Sequence, residues 1–308
     1  MATGKKCDAV LMIGFGGPTR AGEVRPFLDN VVRGRPIPPE RYEEVVHHYD
    51  LLDGRSPFND LTMRQAAALR EQLAKQGASV PIAVGMAKWE PYVADSLRTL
   101  ADGGARRVLG FIMAAHRSEA SFERYQAIVN DARTALGDAA PEVVYPESWH
   151  DNPLFIAALA ARTREAYARL DEQERSRARL IFTAHSIPVA MAEAGPYVKQ
   201  LARSAWMVAA KLGIGGWTLA YQSRSGSPRQ PWLEPDIKDT LGTLDTKVAV
   251  VVPIGFLCDH VEVLYDLDIE AAQIARAAGI RMERAPTVGD HPLFIEMMAS
   301  IIAPYARA

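Results

Sequence analysis

Residues 247–270 read KVAVVVPIGFLCDHVEVLYDLDIE, and the two halves of this stretch follow different periods. Residues 247–256 form an almost unbroken run of apolar, mostly branched side chains, the pattern of a strand buried on both faces. From Asp259 the apolar residues Val261, Val263, Leu264 and Leu267 recur at helical spacing. On the same segment Glu262, Asp266 and Glu270 stand four residues apart, which stacks three carboxylates along one helical face. Like charges at that spacing repel. Asp259 and Glu262 lie in the first turn, where the helix dipole favours acids, but Asp266 and Glu270 lie deeper and gain little from it. A row of oxygen ligands suits a divalent cation moving along it, so the acidic face is expected to border a cavity or solvent channel.

The strand-then-helix unit recurs along the chain. Short apolar runs at 8–15, 81–87, 107–115, 142–147, 178–185 and 216–223 alternate with amphipathic segments at 60–77, 91–103, 119–136, 152–169, 193–212 and 259–278. The expected class is α/β, with parallel sheets and right-handed crossovers. Residues 20–52 depart from the alternation, carrying two consecutive amphipathic segments joined by the basic turn RGRPIPPE (33–40), a candidate lid or pocket wall. The proline-bearing stretch YPESWHDNP suggests a division into domains 1–148 and 149–308, with a last helix at 291–307 placed to pack back on the first half.

Composition narrows the classes of function. The 308 residues are 48% hydrophobic, enough for two ordinary cores, and 35 Lys and Arg stand against 37 Asp and Glu. That balance gives no reason to expect nucleic acid or an acidic membrane as the main partner. Cys7 and Cys258 are the only cysteines, too few for a four-thiolate site, and they point to a reducing compartment. No apolar run approaches the ~18 residues of a spanning helix, and the N-terminus lacks the pattern of a cleaved leader. A cytoplasmic protein without an integral membrane segment is expected.

Three further stretches carry candidate chemistry. GFGGP (14–18) follows a strand but lacks the dinucleotide glycine spacing, leaving a close backbone approach to a ligand or a purely structural turn. IFTAHS (181–186) ends an apolar strand on His185, where open α/β sheets gather their ligands; the alternative is a half-buried imidazole satisfied by its neighbours. YQSRSGSPRQPWLEPD (221–236) offers Arg224 and Arg229 for anionic groups and Trp232 for stacking on a flat ligand, or else a surface loop around one packed aromatic.

Together these stretches resemble the ferrochelatases. The resemblance runs through FGGP, VRGRPIP (32–38), HYDLLDGRSPFND (48–60), ESWHDNPLFI (147–156), FTAHSIP (182–188), YQSRSGSPRQPWLEPD and PIGFLCDHVEVLYDLDIEA (253–271), in the family's order. It implies two similar doubly wound, Rossmann-like domains enclosing a porphyrin cleft, and insertion of ferrous iron into a porphyrin in haem synthesis. Carried over by position, His185 and Glu262 handle metal and protons, and Asp266 and Glu270 line the approach for metal or the exit for protons. Phe15, Arg33, His48, Tyr49, Ser56 and Tyr125 fall at or beside the porphyrin, with Trp232. The basic turn and DGRSPFND resemble the members that metallate coproporphyrin III. Protoporphyrin IX, another tetrapyrrole or a non-catalytic porphyrin or haem carrier are the alternatives. Ferrous iron is then a substrate, and neither an organic cofactor nor an iron–sulfur cluster is expected. The chain departs from the pattern at Phe15, where a tyrosine is usual, and at Val32 and His48, which stand for arginines and leave Arg33 and Arg35 in the turn. AAHRSEASFERY (114–125) replaces a serine-rich stretch and introduces His116 and Arg117.

Overall fold

A computed structural model describes residues 6–34, 37–226 and 229–306; Arg35 lies outside the described residues. Contacts divide the chain into two units. One comprises the residues up to Met113, Ser121–Glu147 and those from Phe294 onward; the other comprises Ala114–Ala120 and Ser148–Leu293.

In the first unit the apolar runs become β1 (Ala9–Gly14), β2 (Ile82–Met86), β3 (Arg107–Ile112) and β4 (Glu142–Val144). They form one parallel sheet of order β2-β1-β3-β4, with Val10 opposite both Ile82 and Leu109. Every residue of β1 is buried, as an uninterrupted apolar run between two helical layers requires. The helices are α1 (Val24–Val32), α2 (Pro39–Asp50), α3 (Phe58–Lys75), α4 (Val93–Asp102) and α5 (Arg124–Leu136). The segment 20–52 thus does form two consecutive helices, α1 and α2, between the first two strands. The chain's end returns to its beginning, since Cys7 N–H donates to the Tyr305 carbonyl at 2.7 Å.

The second unit repeats the plan. It contains β5 (Arg179–His185), β6 (Trp217–Gln222), β7 (Val248–Val252) and β8 (Arg281–Arg284), parallel and ordered β6-β5-β7-β8. Its helices are α6 (Pro153–Tyr167), α7 (Glu172–Arg177), α8 (Val189–Ala194), α9 (Tyr197–Leu212), α10 (Ile237–Gly242), α11 (Val261–Val263) and α12 (Ala272–Ala277). α13 (Pro292–Ile302) follows β8 and ends two residues before Pro304, which disfavours helix in the residue before it.

Two expectations are corrected and one strand was missed. The segment 193–212 is two helices, because Gly195 is extended and Pro196 follows it. β8 escaped notice because RMER is short and half-exposed, with no apolar run to mark it. The segment 259–278 is not one regular helix: Leu264–Ala271, between α11 and α12, is a π-helix. Val263, Leu267 and Ala271 are fully buried and also stand four apart, so the apolar and acidic columns run side by side. In an α-helix four residues overshoot one turn by about 40°. The wider i→i+5 turn keeps two such columns more nearly in line.

Candidate active site

In the second sheet β5 lies between β6 and β7, so the chain leaves β5 to one side and returns on the other. Such a switch point opens a crevice at the carboxyl ends of the strands. His185 ends β5, Gln222 ends β6 in register with it, and the loop after β7 leads to Glu262.

The His185 backbone carbonyl accepts from the Tyr197 hydroxyl at 3.0 Å, and its Nδ1 lies within hydrogen-bonding distance of the Ser186 carbonyl. A carbonyl can only accept, so this network places a proton on Nδ1. Nε2 then stands 3.6 Å from Glu262 Oε1, and both side chains keep access to solvent, at 30% and 40% exposure. Burial alone would depress the His185 pKa, but the Glu262 carboxylate, the Ser186 carbonyl and Asp266 outweigh it and raise the pKa above the usual histidine value. His260 goes the other way: burial pulls its pKa down despite Glu262 and Asp259 nearby. It caps the helix, its Nδ1 accepting the Glu262 N–H at 3.3 Å, and its ring meets Phe256 edge-on. Two neighbouring imidazoles are therefore driven apart, one toward holding a proton and the other toward neutrality. Gln222 Nε2 donates to the Glu262 carbonyl at 2.7 Å, fixing that carboxylate's backbone beside the histidine.

Asp266 and Glu270 follow along the π-helix. Asp266 is partly buried and accepts a short hydrogen bond from Ser223 Oγ. Burial, reinforced by Glu262 and Glu270, raises its pKa to about 7, although the Ser223 bond opposes the rise. Ser223 adopts a left-handed φ of 61°, unusual for a residue with a Cβ and a form of strain concentrated at functional sites. Glu270 Oε2 lies 3.3 Å from Lys238 Nζ on α10. The acidic row thus meets an imidazole, a hydroxyl and an ammonium in turn. Among the described residues no three His, Cys, Asp or Glu side chains converge into a preformed metal cage. What the structure brings together is one imidazole–carboxylate couple with two carboxylates behind it.

The other expected residues are distributed over both units. Phe15, at the carboxyl end of β1, is 36% exposed and touches Phe27, which also meets Tyr49 and Trp89 edge-on. Gly16 follows with φ 92°, and a Cβ there would come within 2.9 Å of Met86, so this turn demands glycine. Arg33 ends α1 and donates to Asn30. Burial lowers the His48 pKa to about 4, so it can offer a neutral N–H but not the charge of the arginine it replaces. Tyr49, Ser56 and Tyr125 are buried. In the second unit Trp232 bridges Pro188, and its ring covers Gly226, where a Cβ would stand 2.1 Å from it. Among the described residues the buried Trp232 indole N–H meets no hydrogen-bond partner.

Five functional neighbours were not found from sequence: Tyr197, Gln222, Ser223, Lys238 and Arg284. Gln222 and Ser223 sit inside the quoted loop, where their place at a strand end was a usable signal. Arg284 had none. Its place arises because β8 pairs with β7, putting its guanidinium 2.8 Å from Asp268 and 3.1 Å from Asp259, a clamp across the segment that carries Glu262 and Asp266.

Twin parallel sheets carry a histidine–carboxylate couple at a switch point with carboxylates trailing from it, a donor set suited to handling a divalent metal. The ferrochelatase family model matches residues 7–305. The chain belongs to the ferrochelatase family, lyases that insert ferrous iron into porphyrins. It is 41% identical to a ferrochelatase of Rhodopirellula baltica, over 96% of this chain and 85% of that one. It is also 41% identical to a coproporphyrin III ferrochelatase of Mycolicibacterium smegmatis, over 96% and 88%. Among solved structures, the sirohydrochlorin chelatase SirB of Bacillus subtilis subspecies spizizenii, in complex with cobalt, aligns with a TM-score of 0.58 at 13% identity, covering 97% of this chain and 94% of that one. CbiX, described as the terminal enzyme of sirohaem biosynthesis in denitrifying bacteria, aligns with a TM-score of 0.54 at 17% identity, over 96% and 98%. At those identities the likeness concerns the fold. No helix among the described residues is long and apolar enough to cross a membrane.

Proposed function

We propose that this protein inserts ferrous iron into coproporphyrin III, with His185 and Glu262 at the reacting centre. The observation that carries the chemistry is the His185–Glu262 couple, 3.6 Å apart, with the imidazole's other nitrogen committed to the Ser186 carbonyl. A free-base porphyrin must lose two inner N–H protons as the metal enters. An unprotonated Nε2 is a base held in one orientation, and Glu262 can take a second proton or pass the metal on. The raised His185 pKa makes it a stronger base, while an arriving cation favours release of any proton the couple already shares. Asp266, poised near neutrality at about 7, can exchange a proton or a metal without a large penalty in either form. Binding a puckered ring more tightly than a flat one adds to the rate by differential binding.

Coproporphyrin is favoured because several relatives at 41–42% identity over 96% of the chain carry that substrate in their names. Coproporphyrin has four propionates and protoporphyrin two, so a rim rich in donors favours the former, each charge-assisted bond contributing roughly 1.5–3 kcal/mol. Arg33 can supply one. Neutral His48 and the hydroxyl-free Phe15 supply less than an arginine and a tyrosine would. The reading includes a cytoplasmic location and no organic cofactor or cluster, since a chain with two cysteines cannot supply four thiolates. The test is initial metallation rates with coproporphyrin III and protoporphyrin IX side by side. Faster turnover of coproporphyrin is expected; a clear preference for protoporphyrin would overturn the substrate assignment.

A further inference from the structure

The acidic row ends on a cation that the protein itself supplies. Lys238 Nζ lies 3.3 Å from Glu270 Oε2, at the end of the row far from His185, with both side chains about two-fifths exposed. Its position is fixed by packing. Ile237 and Leu241 of α10 are buried in the same core as Val263, Leu267 and Ala271, and Asp236 caps the helix by accepting the Lys238 N–H at 2.8 Å. Lys238 therefore projects beside the π-helix while its own helix is anchored against it. Lys238 also borders a cavity of about 180 Å³ shared with Ser186, Arg224, Leu233, Glu234, Asp236 and Asp239. The three carboxylates there outnumber the one guanidinium, so a displaced ammonium keeps acidic neighbours, and Ser186 puts the cavity's other side next to His185.

We propose that Lys238 is a tethered counter-ion: its ammonium occupies the far end of the acidic row in the resting protein and is displaced by the divalent metal entering along Glu270 and Asp266. This rests on the chelatase reading of the site. The tether has two consequences. It offsets the repulsion among the carboxylates when no metal is present, and it makes every entering cation compete with an ammonium already in place. Weakly held, strongly hydrated magnesium loses that competition more readily than ferrous iron, which gains the His185 nitrogen further along.

Removing the ammonium takes away the repulsion between a unit charge and a divalent ion about 5 Å apart in near-aqueous surroundings, on the order of tenfold in affinity. The experiment titrates manganese(II) into porphyrin-free wild type, Lys238→Met, Lys238→Gln and Lys238→Arg, following free manganese by electron paramagnetic resonance. Metallation kinetics against ferrous iron concentration, with and without millimolar magnesium, accompany it. Lys238→Met and Lys238→Gln are expected to bind manganese about tenfold more tightly, to lower the apparent KM for iron more than they change kcat, and to become inhibited by magnesium. Lys238→Arg is expected to stay close to wild type. Unchanged or weaker manganese binding in both uncharged variants would overturn the proposal. Because the manganese titration needs no turnover, wild type that fails to metallate any porphyrin would instead overturn the chelatase reading.

Discussion

Asp266→Asn should make the protein more stable and a poorer catalyst, and the two effects should have different dependences on pH. Asp266 carries a folded-state pKa of about 7, against an ordinary value near 3.8, chiefly because burial penalises its charge. The sign follows from linkage. Between those values the folded chain holds a proton that the unfolded chain has released, so this group's contribution is fully favourable below about pH 4 and is lost as pH rises through 7. From pH 5 to pH 8 the loss, at ~1.36 kcal/mol per pKa unit and discounted for remaining contact with water, is about 2 kcal/mol. Asparagine keeps an oxygen to accept the Ser223 hydroxyl and has no charge to desolvate. Urea denaturation of wild type and Asp266→Asn at both pH values should show the variant's advantage growing by about 2 kcal/mol from pH 5 to pH 8, while metallation slows. A constant gap, or an asparagine variant less stable at pH 8, would refute the claim that Asp266 is a costly charge kept for its chemistry.

His185→Ala should lower kcat at least a hundredfold, within the usual range for a lost general base, with porphyrin binding followed by fluorescence largely retained. His116 is buried with Nε2 3.0 Å from Ser204 Oγ and, among the described residues, no partner for Nδ1, and burial drives its pKa to about 3. Its depressed value means that the unfolded chain gains a proton first as pH falls below about 6.5, so stability should drop by about 2 kcal/mol between pH 7 and pH 5. His116→Gln should flatten that dependence in the same denaturation assay.

Much of the fold was legible because buried parallel strands leave a signature that does not depend on context: KVAVVV and RLIFTAH read as strands in isolation, and their ends place His185 and the loop to Glu262. The acidic row was legible too, since its spacing of four conflicts with charge repulsion and so calls for a reason. Its conformation was harder to read. A strict period of four in both columns hinted at a turn wider than 3.6 residues, but only packing of Val263, Leu267 and Ala271 into the sheet's cover fixes it as a π-helix. Lys238 and Arg284 were illegible for a different reason. Each is an ordinary basic residue until α10 and β8 are placed in space, because an ion pair across elements leaves no periodic trace in either. The sequence likewise did not show that burial holds His48 neutral.

The central claim, that the His185–Glu262 couple drives metal into a porphyrin, is tested most directly by one spectrum. Coproporphyrin III, the protein and ferrous iron are mixed under strictly anaerobic conditions, and the visible absorption is followed beside samples lacking protein or containing His185→Ala. The expected result is collapse of the four Q bands of the free base to two with wild type alone, at a rate proportional to protein. Persistence of four bands with wild type, or equal collapse with His185→Ala, would contradict it.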